Sequence, residues 1–205
     1  MKVLVVADIE DKLLYDFFRK DRVEGVELII SCGDLKQDYL DFLMTMVNVP
    51  MIYVRGNHDD SYFNDPPLGA ECIDGRIYKY KGIRFLGLGG CIRYKNDCKT
   101  MFTESEMNTR IIKLTPRLML SKGFDVLVTH SPAEGYGDME GSHTHKGFKC
   151  FNKLLNKYKP MYMFHGHVHN NYGRVKLTNK HPSGTEILNC SGFRIVDIPE
   201  PGTNK

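Results

Sequence analysis

Val3-Leu4-Val5-Val6-Ala7-Asp8 is a run of five apolar residues closed by a carboxylate. Continuous apolar runs rich in β-branched residues mark strands buried on both faces, as in parallel sheets. The pattern recurs downstream. Residues 26–30 lead into Ser31-Cys32-Gly33-Asp34, and residues 51–54 into Arg55-Gly56-Asn57-His58-Asp59. Between these runs Leu13, Leu14, Phe17 and Phe18 recur at helical spacing, as do Tyr39, Leu40, Phe42, Leu43 and Met46. Strand, helix, strand, helix, strand predicts right-handed crossovers and a parallel sheet, hence an α/β fold.

The rest of the chain continues in kind. Residues 61–69 are rich in Asn, Asp, Pro and Gly and read as a loop. Residues 76–80 and 83–88 flank Lys81-Gly82 as a hairpin. Thr103 or Ser105 caps a helix that Pro116 should kink or restart. Residues 126–128 form a strand ended by Thr129-His130-Ser131-Pro132, and residues 133–145 form a Gly-rich loop. A helix over 148–158 and a strand over 161–164 lead into His165-Gly166-His167-Val168-His169. The closing elements read as a hairpin with arms 173–177 and 186–189 and its turn at 179–184, a last strand over 193–196, and a frayed tail from 199.

Composition excludes several classes. The 205 residues are 41% hydrophobic and 26% charged, as expected of a soluble globular domain. A net charge of +3 is too mild to argue for nucleic acid or a membrane surface. No run reaches the length of a membrane span. The first apolar run is too short for a leader and ends in Asp8, Glu10 and Asp11, so a cytoplasmic location is expected. The six cysteines form no C-x-x-C pair and read as reduced thiols. Cys32 lies beside the presumed site and is a candidate for oxidation.

Five groups of potential ligands each follow an apolar run: Asp8 with Glu10, Asp34, Asn57 with His58, His130, and His167 with His169. Taken singly, Asp8 and Asp34 would serve as helix N-caps, Asn57 as a turn residue, and the histidines as loop residues. Taken together they converge, because sites in open α/β sheets form beyond the carboxyl ends of the strands. Carboxylates, an amide and imidazoles without thiolate suit Mn²⁺, Fe or Zn²⁺. The chemistry suggested is a pair of cations roughly 3.5–4 Å apart that activates water and clamps phosphate oxygens.

At these residues the sequence resembles the calcineurin-like metallophosphoesterases, whose pattern is D-x-H, G-D, G-N-H-[DE], a lone His after a strand, and G-H-x-H. The matching stretches are Asp8-Ile9-Glu10, Gly33-Asp34, Gly56-Asn57-His58-Asp59, Thr129-His130 and Gly166-His167-Val168-His169. The segments around Thr129-His130-Ser131-Pro132 and His145-Lys146-Gly147-Phe148 resemble a branch of small, insert-free members. The resemblance implies a single domain over residues 1–205, built as a four-layer α/β/β/α sandwich around two mixed β-sheets.

It also implies roles. Asp34 would bridge two divalent metal ions, Mn²⁺ foremost, with Fe, Mg²⁺ or Zn²⁺ as the other candidates. Asp8 and His169 would bind the first ion, and Asn57, His130 and His167 the second. A metal-bridging hydroxide would attack small phosphomonoesters or phosphodiesters in line. His58 would protonate the leaving oxygen, with Asp59 orienting it. Glu10 stands where the family has His, and as a ligand it would make the first site harder. Arg93, beside Tyr94 and Lys95, could grip phosphate. His143, His145, His165 and His181 read as structural or solvent-facing. The alternative is a catalytically weak metal-binding fold used as a protein-interaction scaffold, as in a retromer subunit of the same fold.

Overall fold

Alternate residues of β1 (Lys2–Ala7) enter two different cores, so the strand has no solvent-facing side. The structure, a computed structural model, describes residues 1–169 and 176–199. β1 pairs in parallel with β2 (Leu28–Ser31), followed by α1 (Gln37–Val47) and β3 (Met51–Tyr53), which pairs in parallel with β2. β4 (Glu71–Cys72) extends this sheet.

The second sheet begins with the hairpin of β5 (Ile77–Tyr80) and β6 (Ile83–Leu88). A short parallel pair, β7 (Cys91–Ile92) with β8 (Met101–Phe102), precedes α2 (Glu104–Leu120). Then come β9 (Val126–Thr129), α3 (Lys149–Tyr158) and β10 (Tyr162–His165). β11 (Thr178–Lys180) and β12 (Glu186–Asn189) complete the second sheet, and β13 (Gly192–Asp197) returns to pair antiparallel with β1. The orders are β13-β1-β2-β3-β4 and β11-β12-β10-β9-β6-β5, and both sheets are mixed.

Three apolar clusters define the layers. Val3, Val5, Ala7, Ile30 and Ile52 of the first sheet meet Phe85, Val126, Val128 and Phe164 of the second. Leu4, Val6, Ile29 and Tyr53 pack instead against Tyr39, Leu40 and Leu43 of α1. Leu86, Leu88, Leu127, Met163 and Ile187 pack against α2 and α3 through Leu114, Leu118, Phe151, Leu154 and Leu155. The result is the expected α/β/β/α sandwich. Each fully buried aliphatic or aromatic side chain contributes roughly 1.5–3 kcal/mol. That drives period-2 strands and period-3.6 helices to present these faces to one another.

Several expectations needed correction. Residues 12–17 form turns, not a helix. Only Leu14 is buried, while Leu13 and Phe17 are exposed. The Arg22 guanidinium donates to the carbonyls of Leu13 (2.6 Å) and Phe17 (2.5 Å), which diverts them from a helical ladder. α2 runs through Pro116 without a break, because the proline lies on its exposed side, where a freed carbonyl can meet water. Thr103 caps α2 in a reciprocal box with Glu106 (3.2 and 2.7 Å). A 3₁₀ turn, Asp60–Phe63, starts the loop expected over 61–69. The first arm of the closing hairpin is Thr178–Lys180, so its turn starts at His181. Residues 173–175 of the arm expected there, and 200–205 of the tail, lie outside the described residues. The cysteines are free thiols as expected, but Cys32 is fully buried and so shielded from oxidants.

One ion pair ties the second sheet to α2. Arg84 donates from Nε (2.9 Å) and Nη2 (2.6 Å) to the two carboxylate oxygens of Asp125, and from Nη1 to the carbonyls of Ser121 and Lys122. The guanidinium bonds outweigh burial and hold Asp125 below the usual carboxylate range. Asp125→Ala should therefore cost about 2–3 kcal/mol at pH 7 in chemical denaturation, since it strands a half-buried guanidinium. Because the folded pKa is depressed, this contribution is full above the unfolded carboxylate pKa. It fades as pH falls through the folded value, so the two proteins should converge in stability at low pH.

Candidate metal centre

The parallel pairing of β1, β2 and β3, and of β9 and β10, brings the carboxyl ends of five strands to one edge. Asp8, Asp34, Asn57, His130 and His167 come together there. One oxygen each of Asp8 and Asp34 and one ring nitrogen of His130 all lie within 4.8 Å of one another. His130 Nε2 is 3.2 Å from Asp34 Oδ2 and 3.0 Å from Asn57 Oδ1. The His167 ring centroid is 4.9 Å from that of His130. Burial raises the Asp8 carboxyl above its ordinary value, and His169 is among the groups near enough to oppose that rise.

Backbone geometry places them. Asp8, Asp34 and His167 all adopt left-handed φ, at 60°, 59° and 68°. Such residues cost of order 1–3 kcal/mol each and persist only where their surroundings hold them. Here each amide is bonded to another loop. Asp8 N–H donates to Gly33 O (3.1 Å), Asp34 N–H to Asp59 Oδ2 (2.8 Å), and His167 N–H to both Asp8 oxygens (2.9 and 3.0 Å). His58 N–H donates to Asp34 Oδ1 (2.7 Å) and Gly56 N–H to Asp59 Oδ2 (2.7 Å). Two motif glycines serve close approach. A Cβ on Gly56 would stand 2.1 Å from Asp34 Oδ1, and one on Gly166 would stand 2.6 Å from Ala7 Cβ and 2.7 Å from Asp8 Oδ2.

The donor set fits hard or borderline cations. His130 Nδ1 lies 2.8 Å from the Cys32 carbonyl, so it carries a hydrogen and leaves Nε2 for a metal. His167 Nε2 lies 2.7 Å from the Thr144 carbonyl, which reserves Nδ1. These are outer-shell bonds of the kind that fix a ligand's tautomer. Burial pushes the Cys32 thiol well up, so it stays protonated.

The charges are tightly coupled. Burial raises Asp34, but the charge and hydrogen bond of His130 overcome it and hold the carboxylate at about 2. Burial by itself lowers His130; the Asp34 and Asp8 carboxylates reverse this and push it up to about 9. In the metal-free state a proton on His130 thus neutralises part of the carboxylate charge. Burial, reinforced by His130, drives His167 down to about 3, so it is neutral and competent as a ligand. Burial and the neighbouring Asp34 push Asp59 up to about 6.

The other candidate residues stand around this group. Glu10 is outside the Asp8–Asp34–His130 group and pairs with Lys36 Nζ at 3.4 Å. Asp59 holds backbone amides of two ligand loops, and among the described residues it makes no bond to the His58 ring. His58 itself is exposed at the rim. The Arg93 guanidinium is committed to Glu106 (2.9 Å) and the Met101 carbonyl (3.1 Å). His165 is fully buried, with Nδ1 3.0 Å from the Gly166 carbonyl. The His145 ring lies 5.1 Å from that of His167, tilted by 41°. The Cys32 and Thr144 carbonyls were invisible to sequence reading because every residue has one.

A model of the calcineurin-like phosphoesterase family matches residues 1–171. The chain belongs to that family. Among curated proteins, the Caenorhabditis elegans UPF0046 protein T07D4.2 is 36% identical over 73 residues, 35% of this chain. The match spans only 17% of that relative's length. TT1561 of Thermus thermophilus shares 12% identity with this chain at TM-score 0.62, over 93% of this chain and 89% of its own. GAP50, the anchor in the inner membrane complex of Plasmodium, shares 13% at TM-score 0.55, over 93% and 71%. Another crystal structure reaches TM-score 0.68 at 15% identity, over 96% and 94%. At these identities the likeness concerns the fold alone. Among the described residues no helix is long and apolar enough to cross a membrane.

The packing and charge of this centre set two expected outcomes. Gly166→Ala should bind Mn²⁺ at least about tenfold more weakly, because its Cβ must push β1 at Ala7 and the Asp8 carboxylate aside; calorimetric titration measures this. Because His130 stays protonated up to about pH 9 without metal, loading at pH 7.5 should release about one proton per centre. Titrations in buffers of different ionisation enthalpy would show it, and the release should vanish above pH 9.

Proposed function

We propose that the chain is a phosphoesterase that works with two divalent metal ions on small phosphomonoesters or phosphodiesters. The observation that carries this reading is the approach of Asp8, Asp34 and His130 within 4.8 Å, with Asn57 Oδ1 3.0 Å from the same imidazole. Asp34 would be shared between the ions, Asp8 and His169 would complete one site, and Asn57, His130 and His167 the other. Mn²⁺ is the foremost candidate from the oxygen-rich donor set. When bound, such ions supply Lewis acidity toward phosphate oxygens and lower the pKa of water.

The chain's own residues do the rest. Asp34, held by His58 N–H and by its own amide bond to Asp59, presents a fixed carboxylate to the cup. The lone pairs of His130 and His167 are aimed by the Cys32 and Thr144 carbonyls. His58 is exposed one residue beyond Asn57, where its ring can hydrogen-bond a phosphate and give a proton to the departing oxygen. The core shared by both sheets supports one functional unit for the whole chain.

A second reading has one observation behind it. Glu10 pairs with Lys36 away from the ligand group, which leaves the first site with fewer protein donors than the family pattern supplies. A fold of this type with weak catalysis would serve as a scaffold, and GAP50 is an anchor by description.

Hydrolysis of bis-p-nitrophenyl phosphate and p-nitrophenyl phosphate with added Mn²⁺ separates the two. The phosphoesterase reading expects turnover that a chelator abolishes and that His58→Ala reduces by about 10²-fold or more, with metal binding retained. No turnover of either ester by metal-loaded protein would favour the scaffold.

A further inference from the structure

We propose that Tyr94 is a positioning residue that sets which face of the Asn57 amide a metal ion meets. The assignment rests on the metal-binding role of Asn57 argued above.

The loop after β6 clasps the segment that carries Asn57 and His58 at four points. Gly90 N–H donates to the Arg55 carbonyl (2.7 Å), and Asn57 Nδ2 donates to the Tyr94 hydroxyl (3.3 Å). The Cys98 thiol donates to the Asn57 carbonyl (3.6 Å), and the Thr100 hydroxyl donates to Asp60 Oδ1 (3.3 Å). The base of the loop is fixed in turn by Arg93, bonded to Glu106 in the first turn of α2. Of the four contacts, only the Tyr94 bond touches the Asn57 side chain.

A carboxamide has two nearly isosteric ends, and only the oxygen can ligate a cation, because the nitrogen has no available lone pair. Turning the amide over would aim its NH₂ group at the ion. Asn57 Oδ1 lies 3.0 Å from His130 Nε2, and the Tyr94 hydroxyl stands at the other end of the same amide. Accepting from Nδ2–H, the hydroxyl discriminates between the two ends and so holds Oδ1 toward the cup. Asn57 is 6% exposed, so solvent offers little substitute.

The test uses Tyr94→Phe in the full chain, titrated with Mn²⁺ by calorimetry and followed by electron paramagnetic resonance. One of two Mn²⁺ affinities should fall about 3- to 10-fold, the worth of one neutral hydrogen bond, with the other unchanged. The spin-coupled signal of the pair should weaken at limiting metal and return at excess. The melting temperature of the metal-free protein should stay unchanged. Cys98→Ala removes another contact of the same clasp without touching the amide and should leave both affinities as they were. Equal affinities in Tyr94→Phe and the parent would overturn the assignment, as would an equal loss in Cys98→Ala. If the parent binds a single Mn²⁺, the two-ion reading fails. The Tyr94 assignment then stands or falls on whether Tyr94→Phe weakens that ion.

Discussion

Two carboxylates, Asp8 and Asp34, are buried within a few ångströms of each other, and the architecture around them answers to that crowding. Like charges at this distance repel in a medium that screens poorly. The fold meets the cost with backbone amides and with His130, whose ring carries a proton when nothing else is present. The left-handed turns at Asp8, Asp34 and His167 belong to the same solution, because they let each strand end point its amide at a neighbouring loop. The same crowding of oxygen donors is what would draw a cation to this edge.

Much of this was legible in the letters. Apolar runs ending in Asp8, Asp34, Asn57 and His130 gave the parallel strands and their shared edge, because a buried strand needs apolar side chains on both faces. The alternation of Val3, Val5 and Ala7 with Leu4 and Val6 carries the two-core arrangement. Residues 12–17 misled because helical spacing of apolar residues does not reveal that an arginine elsewhere will capture the carbonyls. The helix through Pro116 misled in the opposite sense, since propensity cannot tell an exposed flank from a packed one.

At the site, side-chain identity was readable and side-chain allegiance was not. Asp59 follows His58 directly, yet its carboxylate serves amides of Asp34 and Gly56. Glu10 sits two residues from Asp8, yet it faces Lys36. Arg93 has the chemistry of a phosphate grip and spends it on Glu106. In each case the sequence supplies the group, and the three-dimensional neighbourhood decides its partner. The carbonyls of Cys32 and Thr144 lie at the far end of this scale, because they act through atoms common to every residue.

The residues proposed to hold metal are drawn from both layers. Asp8, Asp34 and Asn57 hang from the first sheet, whereas His130 and His167 hang from the second. The interior between them is held by apolar contact, which resists separation well and sliding poorly, since dispersion forces have little directional preference. Coordination bonds do have direction. A cation gripped from both sides would act as a rivet across the seam, giving the sandwich a shear stiffness that its greasy filling alone does not provide.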